Sequence, residues 1–322
     1  MKKFIYSAIT LIAITSGIVL LLSFAQPFLY HKFPSDNDRH IVIMDVLEKN
    51  KENAKVVVFG DSRTMYGVDT RIIRDVSGFS CEVFNLASTG QNIYESSYFY
   101  GLLDSNTKAV IQCTSPEIFS ENIEHNLSAE KALSMYLSGY RVNESTRSLI
   151  ENYNAIFDGN KFINYLKSRS VVRSYIHSNI LRPLLDDEIF DKDAKYSQYF
   201  PHVHPAKQHP DYPFYPYSCD KYKSKEKPEA QLSFLADVKE FFESEGIEYT
   251  IVLMPVNPDQ CKDCYEDFKY YEKIIEEFTD IRVVNLSDFI LESQYFYDAM
   301  HPNLEGAKII SSEIARFLTK FE

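Results

Sequence analysis

The stretch Lys55-Val56-Val57-Val58-Phe59-Gly60-Asp61-Ser62-Arg63-Thr64-Met65-Tyr66-Gly67 constrains the fold more than any other. Its first half is a short apolar run rich in β-branched residues and bounded by Gly60, the pattern of a buried strand. Its second half breaks that pattern at once. Gly60 permits a tight turn, and Asp61 and Ser62 favour turns and helix starts. A polar group placed there stands at the carboxyl end of a strand, the edge where ligands bind in open α/β sheets.

Two readings of Ser62 compete. A serine at a strand-to-helix turn can act as a nucleophile, because its hydroxyl projects from the sheet edge while nearby backbone N–H groups face a developing oxyanion. It can equally serve only to cap the helix that follows. Its partners decide, and the strongest candidates lie near the far end of the chain, in Tyr297-Asp298-Ala299-Met300-His301-Pro302-Asn303. Asp298 and His301 precede a segment from Leu304 to Phe317 with apolar residues at helical spacing. A carboxylate holds an imidazole in one tautomer and favours its charged form while the imidazole removes the serine proton. By itself, Asp-x-x-His is also an ordinary helix-start motif with a surface histidine.

Taken together, the two ends resemble the SGNH, or GDSL-type, hydrolase and acyltransferase family. The resemblance rests on Gly60-Asp61-Ser62, on Asn85-Leu86-Ala87-Ser88-Thr89-Gly90 after the second predicted strand, and on Asp298-Ala299-Met300-His301-Pro302-Asn303 before the last helix. It covers roughly residues 54–120 and 230–322. It implies Ser62 as nucleophile, Asp298 and His301 as its triad partners, and the Ser62 and Gly90 backbone N–H groups as part of an oxyanion hole. It requires neither metal nor cofactor. The chain departs from the family where a Gly-x-Asn-Asp motif usually supplies a third oxyanion donor after the third strand. Here that stretch reads Val110-Ile111-Gln112-Cys113-Thr114-Ser115-Pro116-Glu117. Asn92 is the first candidate to substitute and Asn257 the weaker one. One missing donor costs about 2.7–4 kcal/mol of transition-state stabilisation.

Met1-Lys2-Lys3 is followed by 22 residues, Phe4 to Ala25, without a charge. That length spans a hydrocarbon core about 30 Å thick, whereas a cleaved signal has a shorter apolar centre. An uncleaved single-pass membrane anchor over residues 1–30 is the expectation, with cleavage after Ser23-Phe24-Ala25 as the alternative. The lysines ahead of the span put the amino terminus in the cytoplasm and the folded domain on the extracytoplasmic side. Residues 1–30 hold two of the 34 basic and none of the 46 acidic groups, so the remainder carries 32 against 46, a formal charge of −14. A surface of that sign excludes binding to a nucleic-acid backbone as the main activity.

Residues 31–53 read as a juxtamembrane connector with a short helix from Ile41 to Lys49, and 54–322 as the folded domain. Strand-like runs recur at Val56–Phe59, Cys81–Leu86, Ala109–Cys113, Tyr249–Met254 and Arg282–Leu286. Helical patterns separate several of them, at Ile93–Leu103, Ala230–Glu245 and Tyr265–Phe278. Strands alternating with helices favour a parallel sheet covered on both faces. The expected fold is α/β, a three-layer α/β/α sheet of the flavodoxin-like, SGNH hydrolase-like kind. It carries a long helical and Tyr/Pro-rich insertion at about residues 115–229, too long for one crossover.

In that insertion Pro201, Pro205, Pro210, Pro213, Pro216 and Pro228 exclude regular helix or central strand. Its tyrosines, Tyr212, Tyr215 and Tyr217 among them, either stack on sugar rings of a substrate or pack the loop onto the domain. His202, His204 and His209 have spacing compatible with zinc, but no cysteine or carboxylate ligand accompanies them, and a polar loop is the other reading. No metal site is expected. Of five cysteines, Cys81 and Cys113 fall in strand patterns and are expected to be buried thiols. Cys219 has Cys261 and Cys264 as alternative disulfide partners.

Two functions remain in competition. One is an anchored extracytoplasmic serine esterase or O-acyltransferase working through an acyl-enzyme on Ser62. By the resemblance, it would act on acyl, such as acetyl, groups of a cell-surface polysaccharide, with a membrane-bound O-acyltransferase as partner. The other is a catalytically inactive SGNH-fold protein that binds polysaccharide or assists envelope assembly.

Overall fold

The computed structural model describes residues 6–7, 9–18, 21, 39–78, 80–115, 140, 144–150, 228–259, 265–289, 292–296 and 298–318. The chain divides into two compact units. One comprises Met1–Val42, Leu127–Val142 and Ala155–Phe190, and the other Ile43–Asn126, Asn143–Asn154 and Asp191–Glu322. In the first unit residues 9–18 are helical, with Ile9, Leu11, Ile12 and Ile14 exposed. Among the described residues no helix is long and apolar enough to cross a membrane.

The second unit is built on a five-stranded parallel sheet. Its strands are β1 (Lys55–Phe59), β2 (Glu82–Asn85), β3 (Thr107–Thr114), β4 (Glu248–Leu253) and β5 (Arg282–Asn285), in the order β2-β1-β3-β4-β5. Among the described residues from 39 onward the helices are α1 (Arg39–Lys49), α2 (Ser62–Gly67), α3 (Thr70–Ser77), α4 (Ile93–Ser97), α5 (Glu144–Ile150), α6 (Glu229–Ser244), α7 (Tyr265–Thr279) and α8 (Leu304–Leu318). Each of the five predicted strands is present, and the expected α/β architecture with flanking helices is observed.

Residues of β1 are buried throughout, as a central strand covered on both faces requires. Alternate side chains serve the two layers. Val56 and Val58 of β1, Ile111 and Cys113 of β3 and Val252 of β4 pack with Ile73 of α3 and with Ile310, Ile314 and Leu318 of α8. Phe59 meets Tyr100, with ring centroids 5.7 Å apart. Tyr100 in turn meets Phe242 of α6 at 4.7 Å, and Phe242 stacks on Tyr249 at 5.0 Å. Such ring pairs add about 0.5–1.5 kcal/mol each beyond the area they bury. Gln112 of β3, a buried amide beside these rings, accepts a hydrogen bond from the Tyr100 hydroxyl at 3.1 Å.

Two sequence expectations are corrected. The helix expected over Ile93–Leu103 ends at Ser97 and gives way to a 3-10 turn at Tyr100–Leu102. Backbone bonds Phe99 N–H to Ser96 O and Leu102 N–H to Phe99 O tighten the chain. Tyr98, Phe99 and Tyr100, which follow α4, are all buried. Cys113 is a buried thiol as expected, but Cys81 stands just before β2 and is only half-buried. The chain after Ser62 forms two helices, because Val68 is extended and Asp69 opens α3 with its own side-chain cap.

Tyr212, Tyr215, Tyr217, the three histidines of the insertion, Cys219, Cys261 and Cys264 lie outside the described residues.

Candidate active site

β1 ends at Phe59, between β2 and β3, where the strand order changes direction. The chain must turn sharply here, and Gly60 makes the turn fit: a Cβ on it would lie 2.2 Å from Thr64 Oγ1 and 2.9 Å from the Cys113 carbonyl oxygen. Asp61 then caps α2, its Oδ1 accepting from the Arg63 backbone N–H at 2.9 Å. The capping role considered for Ser62 is thus filled by its neighbour. Ser62 is the first residue of α2, so its own backbone N–H lies outside the helical ladder. Its hydroxyl oxygen is 2.8 Å from His301 Nε2.

On the other side of the ring, His301 Nδ1 is 2.8 Å from Asp298 Oδ2. An ionised carboxylate only accepts, so Nδ1 carries a proton; in the neutral ring Nε2 is then the acceptor, and the Ser62 hydroxyl donates to it. Asp298 uses its second oxygen on the backbone: Oδ1 accepts from the Met300 and His301 N–H groups at 2.8 and 2.7 Å. Burial alone would raise the Asp298 carboxyl. The hydrogen bond and charge of His301, with the two backbone N–H groups, outweigh it and bring the carboxyl down to about 2.

This loop is held from both sides. Asn257, past the end of β4 and buried, donates from its backbone N–H to the Ala299 carbonyl at 3.0 Å and from Nδ2 to the Asp298 carbonyl at 3.3 Å. Asn257, weighed from sequence as a third oxyanion donor, is a brace for the acid and base. Asn303 accepts from the Glu305 and Gly306 N–H groups, a capping pattern that starts α8 directly after His301 and Pro302. The Tyr66 ring of α2 meets the imidazole edge-on, with centroids 5.3 Å apart.

Gly90 lies in the turn after β2 with φ +67°, and Ser88 N–H donates to the Gly60 carbonyl, tying that turn to the one bearing Ser62. Asn92 caps α4 through its Oδ1, which accepts from Glu95 N–H at 2.9 Å. The cap uses the carboxamide oxygen, whereas an oxyanion would use Nδ2. At the end of β3, where the resemblance asks for an asparagine, Ser115 accepts a hydrogen bond at 2.8 Å from the Arg63 guanidinium. Among the described residues no group of three metal-ligating side chains is assembled.

Three supporting residues were not singled out from sequence. Asn85, at the end of β2, donates through Nδ2 to the Thr64 and Val68 carbonyls and so fastens α2. Its signal was an asparagine closing an apolar strand, where side-chain amides serve turns better than ladders. Arg63 is buried and pairs with Asp61 beside the nucleophile. Tyr66 carried no signal beyond its proximity to Ser62.

Two expected outcomes follow from this geometry. Arg63→Met strips the counter-ion from a mostly buried Asp61 carboxylate and a donor from Ser115. Breaking such a pair is expected to cost about 3–5 kcal/mol, read by chemical denaturation. For Asp298, the folded carboxyl is depressed below its ordinary value of 3.8. Its contribution is therefore complete above pH about 5 and disappears as pH falls through 4 towards 2. Acid titration of the wild type against Asp298→Asn, followed by thermal melting, is expected to show a shallower loss in the variant over that interval.

No protein-family model matches the chain, and no curated protein matches it.

Proposed function

We propose that the protein is an extracytoplasmic serine esterase or O-acyltransferase of SGNH type, tethered by its amino-terminal apolar segment, which carries an acyl group on Ser62. The observation that carries this reading is the continuous chain Ser62 Oγ, His301 Nε2, His301 Nδ1, Asp298 Oδ2, with 2.8 Å at both hydrogen bonds. A serine used only for structure has no need of an imidazole oriented by a carboxylate. The parallel order β2-β1-β3-β4-β5 agrees with a flavodoxin-like sheet, in which ligands bind beyond the strand ends where the order reverses.

In this mechanism Ser62 Oγ attacks the ester carbonyl carbon while His301 Nε2 takes the hydroxyl proton. Asp298 stays ionised and stabilises the imidazolium. The developing oxyanion is held by backbone N–H groups, those of Ser62 and Gly90 in this reading, with Asn92 Nδ2 as the side-chain donor. The alcohol leaves with the proton from His301. Water or a sugar hydroxyl then attacks the acyl-enzyme along the reverse path. Acetyl groups of a surface polysaccharide are the substrate class, and a membrane-bound O-acyltransferase is the partner that would supply them.

A second reading, a binding or assembly module without catalysis, is favoured by one feature. Ser115, at the end of β3, offers a hydroxyl where a carboxamide donor is called for, and it is engaged by Arg63. Intact mass after fluorophosphonate treatment separates the two. Stoichiometric labelling that vanishes in Ser62→Ala is the outcome expected of the enzyme, and a folded, unlabelled protein would favour the module.

A further inference from the structure

A groove of about 400 Å³ lies between α3 and the first turns of α8, with Tyr66 of α2 in its lining. We propose that it is the acceptor subsite and takes a neutral, hydroxyl-rich ring of a glycan. The proposal rests on the reading of Ser62 as the acylated nucleophile. Tyr66 links the two places, because a residue that lines the groove packs its ring edge-on against His301, with centroids 5.3 Å apart.

The ligand class comes from the lining. One wall is Ile72 and Asp75 of α3 with its capping residue Asp69, spaced by three; the other is Leu304, Ala307 and Lys308 of α8. With Arg71, the groove carries two carboxylates and two cations. Arg71 lies 2.8 Å from Asp69, and Lys308 is paired with Glu305 at 2.7 Å. On a chain of formal charge −12 this balanced patch attracts neither polyanions nor polycations by net charge. Its lining sets charged, hydrogen-bonding groups beside apolar ground supplied by Ile72, Leu304 and the Tyr66 ring. A sugar ring presents the complement, C–H faces edged by hydroxyls that both donate and accept. The volume falls within the range of small-ligand sites, about 300–1,000 Å³.

Transfer then balances without another reactant. The glycan hydroxyl oxygen attacks the acyl carbon on Ser62 and gives its proton to His301 Nε2. The new ester bond forms, the bond from the acyl carbon to Ser62 Oγ breaks, and the proton returns from His301 to Ser62.

The test is equilibrium binding to the full chain carrying Ser62→Ala, by titration calorimetry, with maltotriose and chitotriose as neutral probes and trigalacturonate as the charged one. At least one neutral trisaccharide is expected to bind saturably, with Kd weakened at least tenfold by Ile72→Trp, which fills the groove. Asp75→Trp is expected to do the same from the rim; that side chain is 75% exposed, so the variant keeps the test open if the first misfolds. Absence of neutral-sugar binding, preference for trigalacturonate, or an unchanged Kd in a folded tryptophan variant overturns the proposal. Fluorophosphonate labelling of the wild type is read alongside. Labelling without glycan binding leaves the acyl-enzyme standing and removes the groove as its acceptor site. Glycan binding without labelling removes the acyl-enzyme, and the acceptor role falls with it.

Discussion

Ser62→Ala is expected to lower acyl-ester turnover on the order of 10⁶-fold, as loss of the nucleophile does where a triad works as a unit. The fold should survive. Asp61, not Ser62, caps α2, and the Ser62 side chain bonds to His301 rather than to the helix backbone. Deleting one half-buried hydroxyl opens no cavity of consequence. Hydrolysis of an activated acetyl ester, measured beside the thermal melting curve, checks both halves of the statement. A variant that keeps wild-type turnover would remove Ser62 from the chemistry, and a variant that unfolds would return it to a structural role.

Asp298→Asn is expected to lower kcat about 10⁴-fold while leaving KM within a few-fold. The carboxamide is nearly the same size, so the loop keeps its shape, and its oxygen can still accept from the Met300 and His301 N–H groups. What changes is the group facing His301 Nδ1. An amide nitrogen there donates, which drives the imidazole proton to Nε2 and points it at the Ser62 oxygen, the wrong tautomer for a base. Steady-state kinetics on a soluble acetyl ester gives the kcat and KM separately. A proportional rise in KM with kcat unchanged would make Asp298 a binding group instead. Asn257→Ala, which loosens the same loop without touching the tautomer, provides a contrast, with a smaller loss that does not reverse the ring's polarity.

The two lesions differ in physical kind. Ser62→Ala removes the atom that forms the bond, whereas Asp298→Asn leaves every reacting atom in place and misassigns one proton. Their effects are therefore not additive, and the double variant should resemble Ser62→Ala alone.

The strands were legible because their apolar runs are short, β-branched and separated by turn residues, a signal set by local sterics and period. Gly60, Asp61 and Ser62 at the end of β1 likewise announced a turn, and Asp298-x-x-His301 announced a helix start. Which residue of Gly-Asp-Ser would cap the helix was open on sequence alone, since aspartate and serine cap almost equally well. Packing decided it: Arg63 folds back on Asp61 and reaches Ser115 at the end of β3, while Ser62 is turned to a histidine 239 residues away. The same holds for Asn257. Its place after β4 made it a candidate donor, and only the arrival of the 298–299 carbonyls beside it made it a brace. The break after Ser97 also lay beyond periodicity, because Tyr100 meets its partners only once Phe242 of α6 and Tyr249 of β4 are folded beside it. Sequence by itself determined the elements and the chemical types at their ends, since both follow from short-range sterics and hydrogen-bonding character. Tertiary structure decided which of those groups meet, because contacts across hundreds of residues depend on sheet order and on the competition among donors and acceptors packed into the same few ångströms.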